Sequence, residues 1–277
     1  IAVRLAYRRQ GSHVGAPADR VALFEEALAK IGADDRSMRA RLLTGLAVDL
    51  FWTEPARAER LLRDALVIAR QADDPDTLLT VLDELYQLVH GPWHDAERRA
   101  INDEMLELSV RLRDLEFEFF TRKHRFHELV RMADGTSADR ELAEMVRLRD
   151  RLRQRLFSEE VRVASTARAL WRGELAEAEA SIRLPDAGDP ATTDFAFFVF
   201  GAQFGLLRRL QGRGAELEPL FRQGIERFPL IAAFRGALAL ILCDLGRERD
   251  AREAFEAHLL ATREVVTATA EYPLNVA

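Results

Sequence analysis

Apolar residues recur along most of the chain every three or four positions, which is the spacing of one face of an α-helix. Segments with this spacing lie at residues 42–50, 61–69, 78–89 and 142–156. The alternation typical of a β-strand is not found between turn signals. The apolar run at 195–200 continues with helical spacing to Leu210, so we interpret it as part of one long buried helix.

Helix-breaking residues interrupt this pattern at short intervals. They lie at 32–35, 54–55, 73–75, 91–92, 134–137, 173, 185–190, 212–214, 228–229 and 246. The segments between them suit helices of about 12 to 20 residues, and the short loops favour antiparallel neighbours. Asp74 followed by Pro75 is typical of a helix start, and Ser137 followed by Glu141 indicates another.

Three glycines give the chain an internal repeat. Gly173, Gly212 and Gly246 are separated by 39 and 34 residues, and Gly135 is a weaker mark 38 residues before the first. Residues at equal distances from them are related: Thr166, Gly205 and Ala239 seven before, Ala178, Leu217 and Ala251 five after, and Ile182, Phe221 and Phe255 nine after. About 34 residues is the length of a tetratricopeptide-type helix pair. In such a pair a glycine ends the first helix in a left-handed conformation.

The repeat and the helical spacing together predict an all-α fold. We expect a right-handed, tetratricopeptide-like α-solenoid of stacked antiparallel helix pairs, because one pair cannot bury its own apolar face. The array is expected to be continuous over residues 19–263, without a second globular domain. A linker or partial helix at 1–18 would precede it, and a divergent tail at 264–277 would follow.

Composition and charge exclude several classes of function. The chain has 277 residues and a net charge of −6, which argues against direct binding of nucleic acid. Neither a signal peptide nor an apolar run of about 20 residues is visible, so we expect no membrane contact. The single thiol, Cys243, cannot form an internal disulfide, which favours a cytoplasmic location. Its apolar neighbours Leu242 and Leu245 predict that it is buried. The chain begins at Ile1, and we expect it to be a fragment or a processed product.

Residues that carry chemistry do not form a recognisable catalytic pattern. Neither lysine, Lys30 or Lys123, follows a glycine, so the chain lacks a phosphate-binding loop. His124, His127 and Glu128 share a helix face that could contact a metal, but we identify no further ligand and favour a polar helix face. We therefore expect no enzymatic activity, no catalytic residues, no metal and no cofactor.

Arginines are concentrated at residues 147–155. Arg147, Arg151 and Arg155 are predicted to share one face of a single helix, opposite a stripe of buried leucines. A phosphate-binding surface and a solvated face are both open interpretations. The nearby carboxylates of Glu141 and Glu144 favour the solvated face.

Phenylalanines are concentrated at residues 117–126 and 195–204, where core packing is the first interpretation. In the second segment the five phenylalanines within ten residues cover more than one face of a helix. We therefore expect some of them to line the inner groove of the solenoid. The repeat register gives Val199, Ala202, Leu206, Ala233, Gly236 and Leu240 as groove candidates, and we add Phe198 and Arg209. Their small and apolar character favours an amphipathic helix, or another part of the same chain, as the occupant.

Several short segments resemble one helical region in a family of bacterial regulators. They include Arg-Ala-Arg-Leu-Leu at 39–43, Asp-Asp-Pro at 73–75, 206–213, 234–239 and Leu-Gly-Arg at 245–247. The chain resembles the tetratricopeptide-like part of large ATPase-type transcriptional regulators of actinobacteria. These regulators end in a LuxR-type helix-turn-helix, and relatives begin with a nucleotide cyclase domain. The likeness extends from about residue 20 to residue 260.

The resemblance implies a sensor or scaffold role. The family's ATPase and DNA-binding modules would lie outside residues 1–277, so neither activity is implied for these residues. We expect a non-catalytic module of a transcriptional regulator that binds a protein segment or a signal in its concave groove. The partner would be a protein, a peptide or another domain of the same regulator, and a homo-oligomer is possible. The alternatives are a small-molecule receptor with an apolar cavity and a free-standing tetratricopeptide adaptor.

Overall fold

The structure, a computed structural model, describes residues 18–32, 34–51, 53–89, 94–183, 194–228 and 233–262. Regular structure within these ranges is entirely helical, with thirteen α-helices, one 3-10 turn and no strand. The predicted all-α class is therefore confirmed. None of the described helices is long and apolar enough to cross a membrane. The predicted linker at 1–18 and tail at 264–277 lie outside the described residues, apart from Ala18.

The helices of the first half are α1 (Ala18–Lys30), α2 (Arg36–Leu50), α3 (Pro55–Gln71), α4 (Pro75–Leu88), α5 (Asp95–Leu112), α6 (Leu115–Arg131) and α7 (Gly135–Leu152). Those of the second half are α8 (Arg155–Arg172), α9 (Leu175–Ser181), α10 (Asp194–Leu210), α11 (Glu218–Arg227), α12 (Ala233–Asp244) and α13 (Glu248–Thr262). The 3-10 turn, Gly214–Leu217, precedes α11. The long helix predicted from the 195–210 segment is confirmed as α10.

The helices form two compact units. The N-terminal unit spans Gly15–Phe157, and the C-terminal unit contains the residues from Ser158 onward. In the N-terminal unit each helix from α1 to α6 packs on the next one, and α2 also packs on α4. In the C-terminal unit α9 packs on α10, α11 on α12 and α12 on α13. Packed neighbouring helices agree with the predicted pairs, whereas the single right-handed array over 19–263 stays a prediction.

Each unit has its own buried apolar side chains. In the N-terminal unit one cluster joins leucines of α2, α3 and α4 to Ile101 and Met105 of α5. The phenylalanines predicted for the core in the 117–126 segment are buried, and the Phe119 ring packs edge-on against Phe157 at 4.9 Å. In the C-terminal unit Leu170, Ala178 and other apolar residues pack around Leu207.

Glycine ends three helices, as the repeat predicts. Gly173, Gly212 and Gly246 have left-handed φ angles of 74°, 71° and 72°. The Gly173 N–H donates to the carbonyl of Leu170, and the next N–H, of Glu174, donates to the carbonyl of Ala169. The same two hydrogen bonds recur at Gly212 and Gly246. They satisfy the last carbonyls of each helix, and glycine permits them because it has no Cβ.

Three further left-handed residues were not predicted. Arg113, Ala133 and Arg153 have φ angles of 55°, 62° and 51°, and together with Gly173 they follow one another at intervals of 20 residues. The break at Arg153 places Arg155 at the start of α8. The prediction that Arg155 shares one helix face with the arginines at 147 and 151 is therefore wrong.

Aspartates cap four helices through their side chains. Asp35, Asp74, Asp114 and Asp134 each accept a hydrogen bond from the backbone N–H three residues later. The predicted start at Asp74 is confirmed. At α7 the cap is Asp134 and Ser137 donates to it, so the prediction that Ser137 itself caps the helix is wrong. Such caps bond the first free N–H groups of a helix.

Candidate docking surface

The groove candidates on α10 differ in their exposure. Val199 is buried, whereas Ala202 and Leu206 are half-buried. Leu206 packs against the cluster that contains Leu170 and Ala178, so part of its side chain belongs to the core. The helix backbone at Phe198 is described, but the side chain of that candidate lies outside the described part.

The candidates on α12 also divide between the core and the surface. Ala233 is half-buried. Gly236 faces α13, since a Cβ at this position would lie 3.4 Å from Cε1 of His258. Leu240, one turn further along α12, is 45% exposed. Among the apolar candidates whose side chains are described, Leu240 therefore offers the most surface to a partner.

Arg209 connects α10 to α12. Its guanidinium donates hydrogen bonds to both carboxylate oxygens of Asp244, one turn beyond Leu240. Hydrogen bonding to Asp244 raises the pKa of Arg209. Both side chains are substantially exposed, so the pair adds little to stability. The pair is important for its position, because it places two opposite charges beside an exposed leucine. We call Leu206, Arg209, Leu240 and Asp244 the α10–α12 face.

Asp244 was missed in the sequence, although a signal was present. In the N-terminal unit Arg63 pairs with Glu97 and Arg70 pairs with Glu104, from α3 to α5. Both separations are 34 residues, and Arg209 precedes Asp244 by 35. Opposite charges about one repeat apart on alternate helices are the pattern that would have indicated this residue.

The described phenylalanines of α10 form a stack. The rings of Phe200 and Phe204 are parallel at 5.2 Å, and the Arg208 guanidinium lies 4.5 Å from the centre of the Phe204 ring. Arg208 also donates to Glu179 on α9 at 2.6 Å. Phe204 therefore packs beneath an arginine that is held by a carboxylate. The phenylalanine side chains before Val199 lie outside the described part, so the apolar cavity they were expected to wall stays a prediction.

Two of the three residues considered as metal ligands belong to a buried polar cluster. Tyr86 donates its hydroxyl hydrogen to Oε1 of Glu128 at 3.0 Å, and Nε of Arg98 donates to the same oxygen at 2.7 Å. The His124 ring stacks on the Tyr86 ring at 4.2 Å. Nδ1 of His124 lies 3.8 Å from Oδ1 of Asp83. The cluster connects α4, α5 and α6 in the interior of the N-terminal unit.

Two arginines act on the Glu128 carboxylate of this cluster. Burial opposes ionisation of Glu128, but the hydrogen bond from Arg131 and the charge of Arg98 outweigh it and hold the pKa of that carboxyl below its usual range. Burial raises the pKa of the Tyr86 hydroxyl. Partial loss of solvent around the imidazole, together with the nearby charge of Lys123, lowers the pKa of His127, although part of its side chain is exposed. The cluster holds three helices together and presents little surface to a ligand.

Within the described ranges no three His, Cys, Asp or Glu side chains are placed to hold a metal ion.

Cys243 is exposed, so the prediction that it is buried is wrong. Ile241 and Leu242 occupy the buried positions on that turn of α12, and Cys243, the next residue, points to solvent. Leu245, an apolar neighbour that was expected to cover Cys243, is itself exposed.

Carboxylates near the arginine-rich segment pair in two ways. Arg147 bonds to Glu144 within α7, in agreement with a solvated face. Glu141 instead accepts hydrogen bonds from Arg122 and Arg125 on α6, each at 3.1 Å. This carboxylate therefore ties α7 to α6, and the expectation that it faces the arginines of its own helix is wrong.

A shallow depression of about 480 Å³ lies on the solvent-exposed side of α5. It is lined by Asp103, Leu106, Glu107, Val110 and Arg111. The depression is open to solvent and all of its lining comes from one helix. It does not enclose a small molecule in the way that ligand pockets do.

No protein-family model matches this chain, and no curated protein matches it. The resemblance to ATPase-type regulators therefore stays an expectation from short sequence segments. The α10–α12 face is the one predicted region in which an exposed apolar side chain and paired charges of two neighbouring helices are described together.

Proposed function

We propose that the chain is a non-catalytic helical-repeat module that binds a protein segment on the α10–α12 face. The observation that supports it is the exposure of Leu240 beside the Arg209–Asp244 pair. The occupant that fits is an amphipathic helix. Its apolar side would cover Leu240 and Leu206, and its polar flank would bond to the charged pair.

The chemistry of the face supports this occupant over an acidic peptide tail. Apolar side chains supply most of the binding free energy when a helix lies in a groove. The Arg209–Asp244 pair presents one charge of each sign, which favours a mixed polar flank and fixes orientation more than it adds affinity. A tail with charges of one sign only would satisfy one member of the pair and repel the other.

The wider role is that of the interaction and signal-sensing arm of a cytoplasmic bacterial transcriptional regulator. One segment that resembles such regulators, 206–213, contains Leu206 and Arg209 of the α10–α12 face, and another, 245–247, directly follows Asp244. In this proposal the helices form a right-handed solenoid, and the bound segment belongs to another domain of the regulator or to a separate protein. A ligand shifts such a switch only through different affinities for its two states.

Site-specific crosslinking tests the proposal. A photoreactive amino acid at position 240 should crosslink, in cells, to one defined helical segment of a partner. The matched control is the same amino acid at Val67, an exposed apolar position on α3 in the N-terminal unit. A synthetic peptide of the crosslinked segment should then raise the melting temperature of the wild-type chain, because it binds the folded form.

The Leu240→Glu variant should lose the shift that the peptide produces, and Arg209→Glu should reduce it, while Val67→Glu should retain it. Equal crosslinking at both positions would contradict the proposal. An undiminished shift in Leu240→Glu would also contradict it, because the peptide would then bind elsewhere.

A further inference from the structure

The first described helix, α1, is held less deeply than the other helices of the N-terminal unit. None of residues 19–30 is fully buried, whereas each helix from α2 to α7 has at least three buried residues. Val21, Phe24 and Leu28 form the apolar stripe of α1 and are only half-buried against the core. Segments with few buried apolar contacts open at a lower free energy than the core around them. We therefore expect α1 to open first.

Helix α2, on which α1 packs, has other supports. It packs on both α3 and α4. Its first turn is capped within the helix itself, because the carboxylate of Asp35 accepts a hydrogen bond from the N–H of Met38. Opening of α1 would therefore leave α2 in place.

One buried carboxylate joins the two helices. The guanidinium of Arg20 on α1 donates to both carboxylate oxygens of Asp49 on α2, with Nε 2.6 Å from Oδ2. The side chain of Asp49 is only 3% exposed, whereas that of Arg20 is 30% exposed. An occupant that covered Asp49 without supplying a positive charge would leave a buried carboxylate uncompensated, which is strongly destabilising. The surface beneath α1 is therefore suited to a guanidinium, which binds a carboxylate through two parallel hydrogen bonds.

The second charged contact of α1 is weaker. Glu25 accepts a hydrogen bond from Arg57 of α3, and both side chains are substantially exposed. Exposed ion pairs contribute little to stability. The choice of a helix at this position therefore depends on Arg20 and on the apolar stripe that follows it.

We propose that α1 is a detachable helix, which opens as a unit while α2 to α7 stay folded. The surface of α2 around Asp49 that it uncovers, which we call the Asp49 surface, then binds a partner helix in its place. Charge complementarity and the half-buried stripe define that partner as an amphipathic helix with an arginine directly before its apolar side. This proposal concerns the N-terminal unit and does not depend on the α10–α12 face.

Amide hydrogen exchange of the full chain tests the opening. The amides of α1 should exchange on the order of a hundredfold faster than those of α4, and their rates should depend only weakly on urea, because little surface is exposed in a local opening. Similar rates and the same urea dependence in α1 and α4 would overturn the proposal.

Two variants test the role of the buried pair. Asp49→Asn keeps the shape of the side chain and removes its charge, so it should accelerate exchange in α1 at least about tenfold while α4 remains protected. Lys30→Gln breaks an exposed pair with Glu26 inside α1 and should change the rate by no more than about twofold. Equal effects of the two variants, or loss of protection in α4, would contradict the proposal.

A peptide with the sequence of residues 18–30 tests the chemistry of the occupant. In the full-length Arg20→Gln variant the chain's own α1 competes less well for the Asp49 surface. The peptide should therefore bind this variant at least about tenfold more tightly than it binds the wild-type chain, as measured by fluorescence anisotropy.

The same peptide with Arg20→Gln provides the matched control. It should bind the Arg20→Gln chain at least about tenfold more weakly than the wild-type peptide does, whereas the Asp49→Asn chain should bind the two peptides about equally. Failure of the wild-type peptide to bind the Arg20→Gln chain would overturn the proposal. A preference for the arginine peptide that persists in Asp49→Asn would also overturn it, because the peptide would then bind elsewhere.

Discussion

Arg98 on α5 and Glu128 on α6 form an ion pair inside the N-terminal unit, with Nε 2.7 Å from Oε1 and side chains only 9% and 8% exposed. Two further guanidinium hydrogens are also used, since Nη1 of Arg98 donates to the carbonyls of Tyr86 and Val89. Removing two charges from water is costly, and these added hydrogen bonds offset that cost.

We expect Arg98→Met to lower the free energy of unfolding by about 3–5 kcal/mol, because it leaves the Glu128 charge buried with one fewer counter-charge. The double variant Arg98→Met/Glu128→Leu should lose much less than the sum of the single losses. Urea unfolding at neutral pH measures all three. As a control, Arg63→Met breaks an exposed pair with Glu97 and should cost about 1 kcal/mol or less. If the losses of Arg98→Met and Glu128→Leu simply add in the double variant, the two residues are not coupled.

Acid should weaken the fold in part through Glu128. Its pKa in the folded chain lies below the ordinary value of 4.5, so its contribution is present in full above about pH 4.5 and is lost as the pH falls through the folded pKa. The unfolded chain binds the proton first in that window, which is why stability decreases. The unfolding free energy of Glu128→Gln should depend less on pH between about 5 and 3 than that of the wild type. Parallel pH curves for the two proteins would contradict this assignment.

The left-handed helix ends predict opposite effects for opposite substitutions. Gly246→Ala should destabilise the fold by about 1 kcal/mol, because a Cβ is disfavoured at a φ of 72°. Arg153→Gly should raise stability by a few tenths to about 1 kcal/mol, since it relieves the same strain at a φ of 51°. Thermal unfolding measures both. Gly32 has open space around it and no left-handed φ, so Gly32→Ala serves as the control and should not destabilise the fold. A stabilising Gly246→Ala would contradict the strain argument.

Helix ends could be predicted where the residue type itself indicated them. Gly173 and Gly212 are visible in the sequence because glycine is the residue that usually takes a left-handed φ. Arg113 and Arg153 adopt the same conformation with a side chain that carries no such signal. These ends are fixed by the packing of the helices on either side, which local sequence does not encode. This is why one helix was predicted where α7 and α8 are separate.

The candidate surface could be predicted in part for a similar reason. The repeat register gave Leu240 as a groove candidate and Arg209 was added to it, and both are exposed. It did not distinguish Gly236, which faces His258, from its neighbours on the same stripe. Nor did it place Cys243 at the surface, because apolar neighbours in sequence point in different directions around a helix. Facing directions within a stripe depend on the exact rotation of each helix against its partner.

Close packing of α11 on α12 gives a further prediction. A Cβ at Gly224 would lie 2.6 Å from two atoms of the Phe234 ring, which is buried and stacked on Phe228. Gly224→Ala should therefore destabilise the chain by about 1–3 kcal/mol through overpacking, measured by urea unfolding. Gly205→Ala, where the nearest ring atom is at 3.1 Å, should cost less.

Replacing the Phe234 ring with a smaller side chain tests whether the ring causes this loss of stability. Adding Gly224→Ala to the Phe234→Leu variant should lower the free energy of unfolding by less than adding it to the wild type does. Equal losses in both backgrounds would mean that the ring is not the obstacle.

Arg113 and Arg153 stand 40 residues apart, with Ala133 midway, and all three turn the chain with the same backbone conformation. Residues 114–153 therefore start after one left-handed residue and finish at another, although the N–H of Arg113 donates three residues back and that of Arg153 four residues back. A tandem duplication or an excision of that stretch would leave a left-handed residue before each following helix. Evolution of such a chain would then proceed by recombination of whole helix pairs, and its length would change in steps of about forty residues.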